Sequence, residues 1–156
     1  MQSCREFNLM YNLPVADVPT LRKIGPLTKR LKDFKKTLSE EVDEIDDIVE
    51  GGEEIDILVQ IADLLGDICI YCFSESAKYG IPLDEVILDA IVASNLSKKN
   101  EDGSVSYNEQ GKLLKGNLFF PPEPKIKEIL KLAQKVKKEK VNESAKYFEN
   151  SQESAS

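Results

Sequence analysis

Histidine is absent from all 156 residues, and cysteine occurs only three times. Without an imidazole, proton transfer near neutral pH falls to carboxylates, lysine, tyrosine or water on a metal ion. Cys4, Cys69 and Cys72 are an odd and sparse set, which speaks against a disulfide framework. Cys69 and Cys72 do form a CxxC, but no second cysteine pair and no histidine accompany it. They are expected to be buried thiols of an apolar helix, with a redox or zinc role as the alternative. No apolar run is read as approaching the roughly 18 residues of a membrane span, and MQSCREFNLM lacks the apolar block of a signal peptide. The expectation is a cytoplasmic protein with no membrane partner. Positive charge is short as well: 21 Lys and Arg against 28 Asp and Glu leave a formal charge of −7. That argues against nucleic acid as a partner, because a phosphate backbone needs a positive footprint. Nucleotides carrying their own cations remain compatible with it.

The composition, 41% hydrophobic and 31% charged, is that of a folded chain long enough for one domain with tails. Apolar spacing predicts an all-α fold, a helical bundle of two long antiparallel helices plus shorter ones. A short helix is expected around Ser3 to Tyr11, followed by the extended connector NLPVADVPT with its two prolines. Leu27, Leu31, Phe34, Leu38, Val42, Ile45 and Ile48 or Val49 recur at three and four, which predicts one long helix from Pro26 to the Gly51-Gly52 stop. A second long helix is expected from Glu53 to Tyr79, closed by Gly80, and a third from Pro82 to about Leu96. From Ser97 to Pro124 the turn signals Asp102-Gly103 and Gln110-Gly111 predict a long loop with one small β-ribbon. A Lys-rich helix is expected over 125–141, as a solvated packing helix or as an interaction arm, and a polar, disordered tail over 142–156.

The stretch SEEVDEIDD holds six carboxylates in about two and a half turns, and like charges at i,i+4 repel by roughly 0.2–0.5 kcal/mol per pair. Glu41 and Glu44 project from one side of consecutive turns, with Glu40 bordering that side. On the second long helix Asp56, Gln60, Asp63 and Asp67 form a polar stripe at i, i+4, i+7 and i+11. Asp63 and Asp67 sit in QIADLLGDICIYC, which is expected to be largely buried, where unpaired charge is costly. If the two helices pack antiparallel, the acidic faces meet, and Mg²⁺ or Mn²⁺, which take all-oxygen ligands, would neutralise them. The plainer alternative is that these acids are the wet side of two amphipathic helices.

Several motifs then carry a resemblance. SEEVDE (39–44) is similar to the EExxE of the MazG-like, all-α nucleoside triphosphate pyrophosphohydrolases, and IADLLGD (61–67) resembles the acidic segment of their next helix. SNLSK (94–98), Asp102-Gly103, GKLLKG (111–116) and FFPP (119–122), with the opening REFNLMYNLPVADVPT, resemble in order the branch related to phosphoribosyl-ATP pyrophosphohydrolase. The likeness spans about residues 5 to 124 and implies a pyrophosphohydrolase domain over 1–124. It implies hydrolysis of a (d)NTP to the monophosphate and pyrophosphate for house-cleaning or nucleotide pool control, with Mg²⁺ as cofactor and Mn²⁺ as a substitute. Glu41, Glu44 and Asp63 would be metal ligands, and Glu40 and Asp67 would bind a further ion or orient the attacking water. Where the family has a carboxylate, Gln60 stands here, able to coordinate through its carbonyl oxygen with one charge fewer. Asn95, Lys98 and Lys115 would meet phosphate or base, and a homodimer or homotetramer is implied. The rival readings are a catalytically weakened nucleotide-binding or regulatory protein on the same fold, supported by Gln60, and a helical adaptor acting through the Lys-rich helix.

Overall fold

The computed structural model describes residues 2–22, 24–48 and 52–153, with side chains to 137 and at 139. The fold is all-α, as the periodicity predicts, with five helices among the described residues. These are α1 (Gln2–Met10), α2 (Leu27–Asp43), α3 (Glu54–Tyr79), α4 and α5 (Glu123–Glu153). Helix α4 is one continuous run made of Leu83–Glu85, a π-helical stretch Val86–Val92 and Ala93–Leu96. The chain divides into two compact units, Met1–Ile81 and Pro82–Ser156.

In the first unit α1 and α2 both pack on α3. Helix α2 stops earlier than expected: from Glu44 to Asp47 the backbone tightens into a 3₁₀ turn. The reason lies in Asp43, Glu44, Asp46 and Asp47, whose negative charges stand at a helix C-terminus and oppose its dipole. The expected stop at Gly51 and the position of Val49 lie outside the described residues. Helix α3 begins with Glu54 and Asp56 in its first turn and Lys78 in its last, both favourable to the dipole. It closes on Gly80, left-handed at φ 68°, with Ile81 N–H donating to the Ser76 carbonyl. A Cβ at Gly80 would stand 2.4 Å from the Val18 carbonyl oxygen, so this position demands glycine twice over. The connector lies here because Ala16 N–H donates to Ala77 and Thr20 N–H to Tyr79, at 3.0 and 2.9 Å.

Two polar locks hold the three helices. Asn8 is fully buried, donating to the Ser74 carbonyl at 2.9 Å while accepting from the Ser74 hydroxyl at 2.6 Å. Glu75, also buried, accepts from Arg30 Nε at 3.0 Å and Nη2 at 2.5 Å, from Lys78 at 3.0 Å and from the Tyr79 hydroxyl at 2.9 Å. Burial pushes the Glu75 carboxyl up, but these donors together outweigh it and hold the group below the usual carboxylate range. Burial and the same carboxylate push the Tyr79 hydroxyl up to about 12.

The apolar core of this unit is small, and much of α3 is uncovered. Leu64 is buried, but Ile55, Leu58, Val59, Ile61 and Leu65 are exposed, as are Asp63 and Asp67. The expectation that QIADLLGDICIYC is largely buried is corrected accordingly. Cys69 is exposed and Cys72 half-buried, so the expected burial of the CxxC is also corrected. The pattern reports that a face wants cover; it does not say whether this chain supplies it. The reading that no apolar run reaches membrane length is corrected too: α3 contains an 18-residue window of mean hydropathy 1.7, of which 6% is buried. Any such window includes Asp63 and Asp67, each costing about 3 kcal/mol at a bilayer centre.

In the second unit α5 packs on the π-helical stretch of α4, burying Val86, Ala90 and Ile129. The loop folds back on α4: Gly116 N–H donates to the Lys98 carbonyl and Leu118 N–H to Lys99. A Cβ at Gly116 would meet the Lys99 carbonyl carbon at 2.5 Å, which explains the last glycine of GKLLKG. Both turn signals are turns, with Gly103 and Gly111 at positive φ. The expected ribbon reduces, among the described residues, to one antiparallel bridge between Tyr107 and Leu113. The backbone of α5 runs past the expected stop near Lys140 to Glu153, since NESAKYFENSQE offers no Pro or Gly to end it. The tail expected to be disordered from 142 is therefore helical as far as Glu153.

Replacing Glu75 by Gln leaves Arg30 and Lys78 with no buried anion, and a cost of about 3 kcal/mol is expected. Because the folded pKa is depressed, the ionised carboxylate stabilises above its unfolded pKa of roughly 4.3, and that contribution is lost as pH falls through the folded value. Thermal melts from pH 7 to 3 should show a steep acid limb in the wild type and a shallower one in Glu75→Gln. Equal slopes would contradict the role given to this carboxylate.

Candidate functional site

The Arg30–Glu75 pair fixes where the acids of α2 and α3 meet. About three turns along α2 from Arg30 stands Glu41; two to three turns back along α3 from Glu75 stand Asp67 and Asp63. In an antiparallel pair one lock therefore brings the acidic end of α2 to the acidic stripe of α3. Glu41 is buried at 8% exposure, while Glu44 sits one turn on at the C-cap of α2.

The electrostatics register this convergence. The Glu44 carboxyl, though exposed, is held above the usual carboxylate range, first by the charge of Glu41, then by slight desolvation, then by Asp67, Asp47 and Asp63. Among the described residues no Lys or Arg forms an ion pair with Glu41, Glu44, Asp63 or Asp67. Tyr71 joins them: its hydroxyl is raised by the charge of Glu41, by burial and by donating to the Glu41 carboxylate, with Asp67 and Glu44 adding to the effect. Sequence reasoning missed Tyr71 because it followed the polar stripe only as far as its last charge. One more step of four from Asp67 reaches Tyr71, and the stripe continues through Ser74, Glu75 and Lys78.

Other expected site residues are placed differently. Glu40 is exposed and pairs with Lys36 at 2.8 Å, one turn back on α2. The Gln60 amide donates to the Asp56 carbonyl at 3.3 Å. Asn95, Lys98 and Lys115 belong to the second unit. There the Asn95 amide donates to the Ile91 carbonyl at 2.9 Å and accepts from Lys98 at 2.6 Å. The Lys115 ammonium lies 4.3 Å from the Phe119 ring centroid, a cation–π contact. The serines of SNLSK are structural: Ser94 donates to the Phe120 carbonyl at 2.8 Å, and the Ser97 hydroxyl accepts from Phe120 N–H at 3.1 Å. Neither cysteine of the CxxC is in a disulfide, and burial, with Cys69 nearby, pushes the Cys72 thiol up, towards the unreactive form.

The donor set of Glu41, Glu44, Asp63 and Asp67 fits a hard divalent cation by its chemistry: four carboxylates from two helices, with no protein cation among them. Among the described residues no three Asp, Glu or Cys side chains are gathered into a ligating group. No protein-family model matches the chain, and no curated protein matches it.

Millimolar Mg²⁺ or Mn²⁺ should raise the melting temperature by several degrees, since an ion bound only to the folded form stabilises by mass action, at roughly 2–4 °C per kcal/mol for a chain of this size. Glu44→Gln should lose most of that rise while melting higher than wild type without metal. A melting curve that ignores both ions would contradict the site.

Proposed function

We propose that this chain is a metal-dependent nucleoside triphosphate pyrophosphohydrolase of the MazG-like kind, hydrolysing a (d)NTP to the monophosphate and pyrophosphate. The observation that supports the reading is the raised Glu44 carboxyl, which feels the charges of Glu41, Asp67 and Asp63 from two helices, with no ion pair to any of the four among the described residues. Phosphoryl transfer asks for positioning and charge neutralisation more than covalent chemistry, so a protein without histidine can perform it. Mg²⁺ held by Glu41, Glu44, Asp63 and Asp67 would neutralise the triphosphate. Water attacks the α-phosphorus, the bond to the bridging oxygen of the β-phosphate breaks, pyrophosphate leaves, and the proton of the water passes to a carboxylate. Tyr71, whose hydroxyl is raised chiefly by the charge of Glu41, stands beside the cluster. Glu40, tied to Lys36, and Gln60, one charge short, favour the weakened binding protein as a second reading.

The same reading places the uncovered face of α3, and the groove along α2 walled by Leu31, Phe34, Leu38 and Val42, against a second copy of the chain. Sedimentation equilibrium should then report a dimer or tetramer; a monomer at tens of micromolar would remove this part of the proposal. Pyrophosphate release from a panel of (d)NTPs with Mg²⁺ tests the activity. Glu41→Gln and Glu44→Gln should each cut kcat by about a hundredfold or more with helix content unchanged. Wild-type turnover in either variant would return the acids to a solvated face.

A further inference from the structure

Beside the acidic cluster, inside the first unit, lies a cavity of about 480 Å³, of a size that small-molecule sites commonly have. Four aromatic rings line it, Phe7 and Tyr11 from the N-terminal segment, Phe34 from α2 and Tyr71 from α3, together with the cations Arg30 and Lys78. Phe7 and Tyr11 are paired at 4.7 Å between centroids and tilted by 48°. Tyr71 belongs to both places, since it lines the cavity and its hydroxyl feels the charge of Glu41 first, then those of Asp67 and Glu44. A ligand in the cavity is therefore one side chain away from the carboxylates.

Resting on the pyrophosphohydrolase reading, we propose that this cavity takes the nucleobase of the substrate, and that it selects an oxo base (guanine, thymine or uracil) over adenine. Aromatic walls stack any base and so bring affinity without choice. Choice falls to the polar groups. Glu75 engages Nε and one proton of Nη2 of Arg30 and one proton of Lys78, which leaves both protons of Nη1, the second of Nη2 and two ammonium protons, all of them donors. An acceptor also lines the cavity: the Asp33 carboxylate is paired with Lys29 through one oxygen at 2.7 Å, and its other oxygen can accept from the N1–H of guanine or the N3–H of thymine and uracil. Donors meet both the O6 and the N7 of guanine, or the O4 of thymine and uracil, whereas adenine keeps N7 but sets an amino group where guanine has its O6 acceptor. The two cations thus serve twice, locking α2 to α3 and reading the base.

Steady-state kinetics and metal-free nucleoside binding separate this inference from the activity it rests on. With Mg²⁺, kcat/KM for dGTP and dTTP should exceed that for dATP by about tenfold or more. Tyr11→Ala, at an exposed ring whose loss does not threaten the fold, should raise KM about fivefold with kcat within about twofold. Saturation-transfer NMR without metal should show guanosine and thymidine binding through their base protons, more tightly than adenosine. Hydrolysis that favours dATP or ignores the base, or a Tyr11→Ala variant with unchanged KM, would overturn the pocket while leaving the hydrolase intact. Selective nucleoside binding with no pyrophosphate released from any nucleotide would support the pocket and overturn the hydrolase reading.

Discussion

The pairing of Arg30 with Glu75 is the contact on which the first unit turns. An isolated surface ion pair contributes little, but this carboxylate is 7% exposed and takes hydrogen bonds from three side chains. With so few apolar side chains buried between α2 and α3, a directional contact of this kind sets the register that loose apolar packing would leave open. Asn8 and Ser74 do the same for α1, one residue back along α3. The acidic end of α2 faces the acidic stripe of α3 because the helices are locked at their other ends.

That arrangement works against the free stability of the fold. The charges of Glu41, Asp63 and Asp67 act on Glu44 at the C-terminus of α2, where the helix dipole already disfavours negative charge, and the backbone tightens into a 3₁₀ turn just there. Sites that depart from local rules in this way are where a ligand supplies the missing term. Here the missing term is positive charge. The apolar side of α3 is a second open account of the same kind, met in this reading by another copy of the chain.

Much of this was legible in the amino-acid order. Apolar residues at three and four predict α2 and α3 because a packed helix needs one continuous stripe, and Gly80 announces its left-handed cap. The acids Glu41, Glu44, Asp63 and Asp67 could be picked out because charge at helical spacing implies a shared face. Tyr71 was not legible in the same way, since a tyrosine in an apolar stretch looks like core until its hydroxyl is seen beside Glu41. Nor was the exposure of Leu65 and Cys69, because hydrophobicity predicts that a face is covered and not by which chain. The π-helical stretch Val86–Val92 also has no signature in the order of its apolar residues. The early end of α2 was readable in principle from the acids at its C-terminus, but the apolar periodicity through Ile45 outweighed them.

The central claim is that repulsion among these carboxylates is real and is relieved by a divalent cation. Titrating Glu44 by NMR of its side-chain carboxyl carbon, with and without Mg²⁺, measures that repulsion at the residue that feels it. The account predicts a pKa above the ordinary glutamate value in metal-free protein and a marked fall when Mg²⁺ is added. An ordinary pKa that Mg²⁺ leaves unmoved would contradict it.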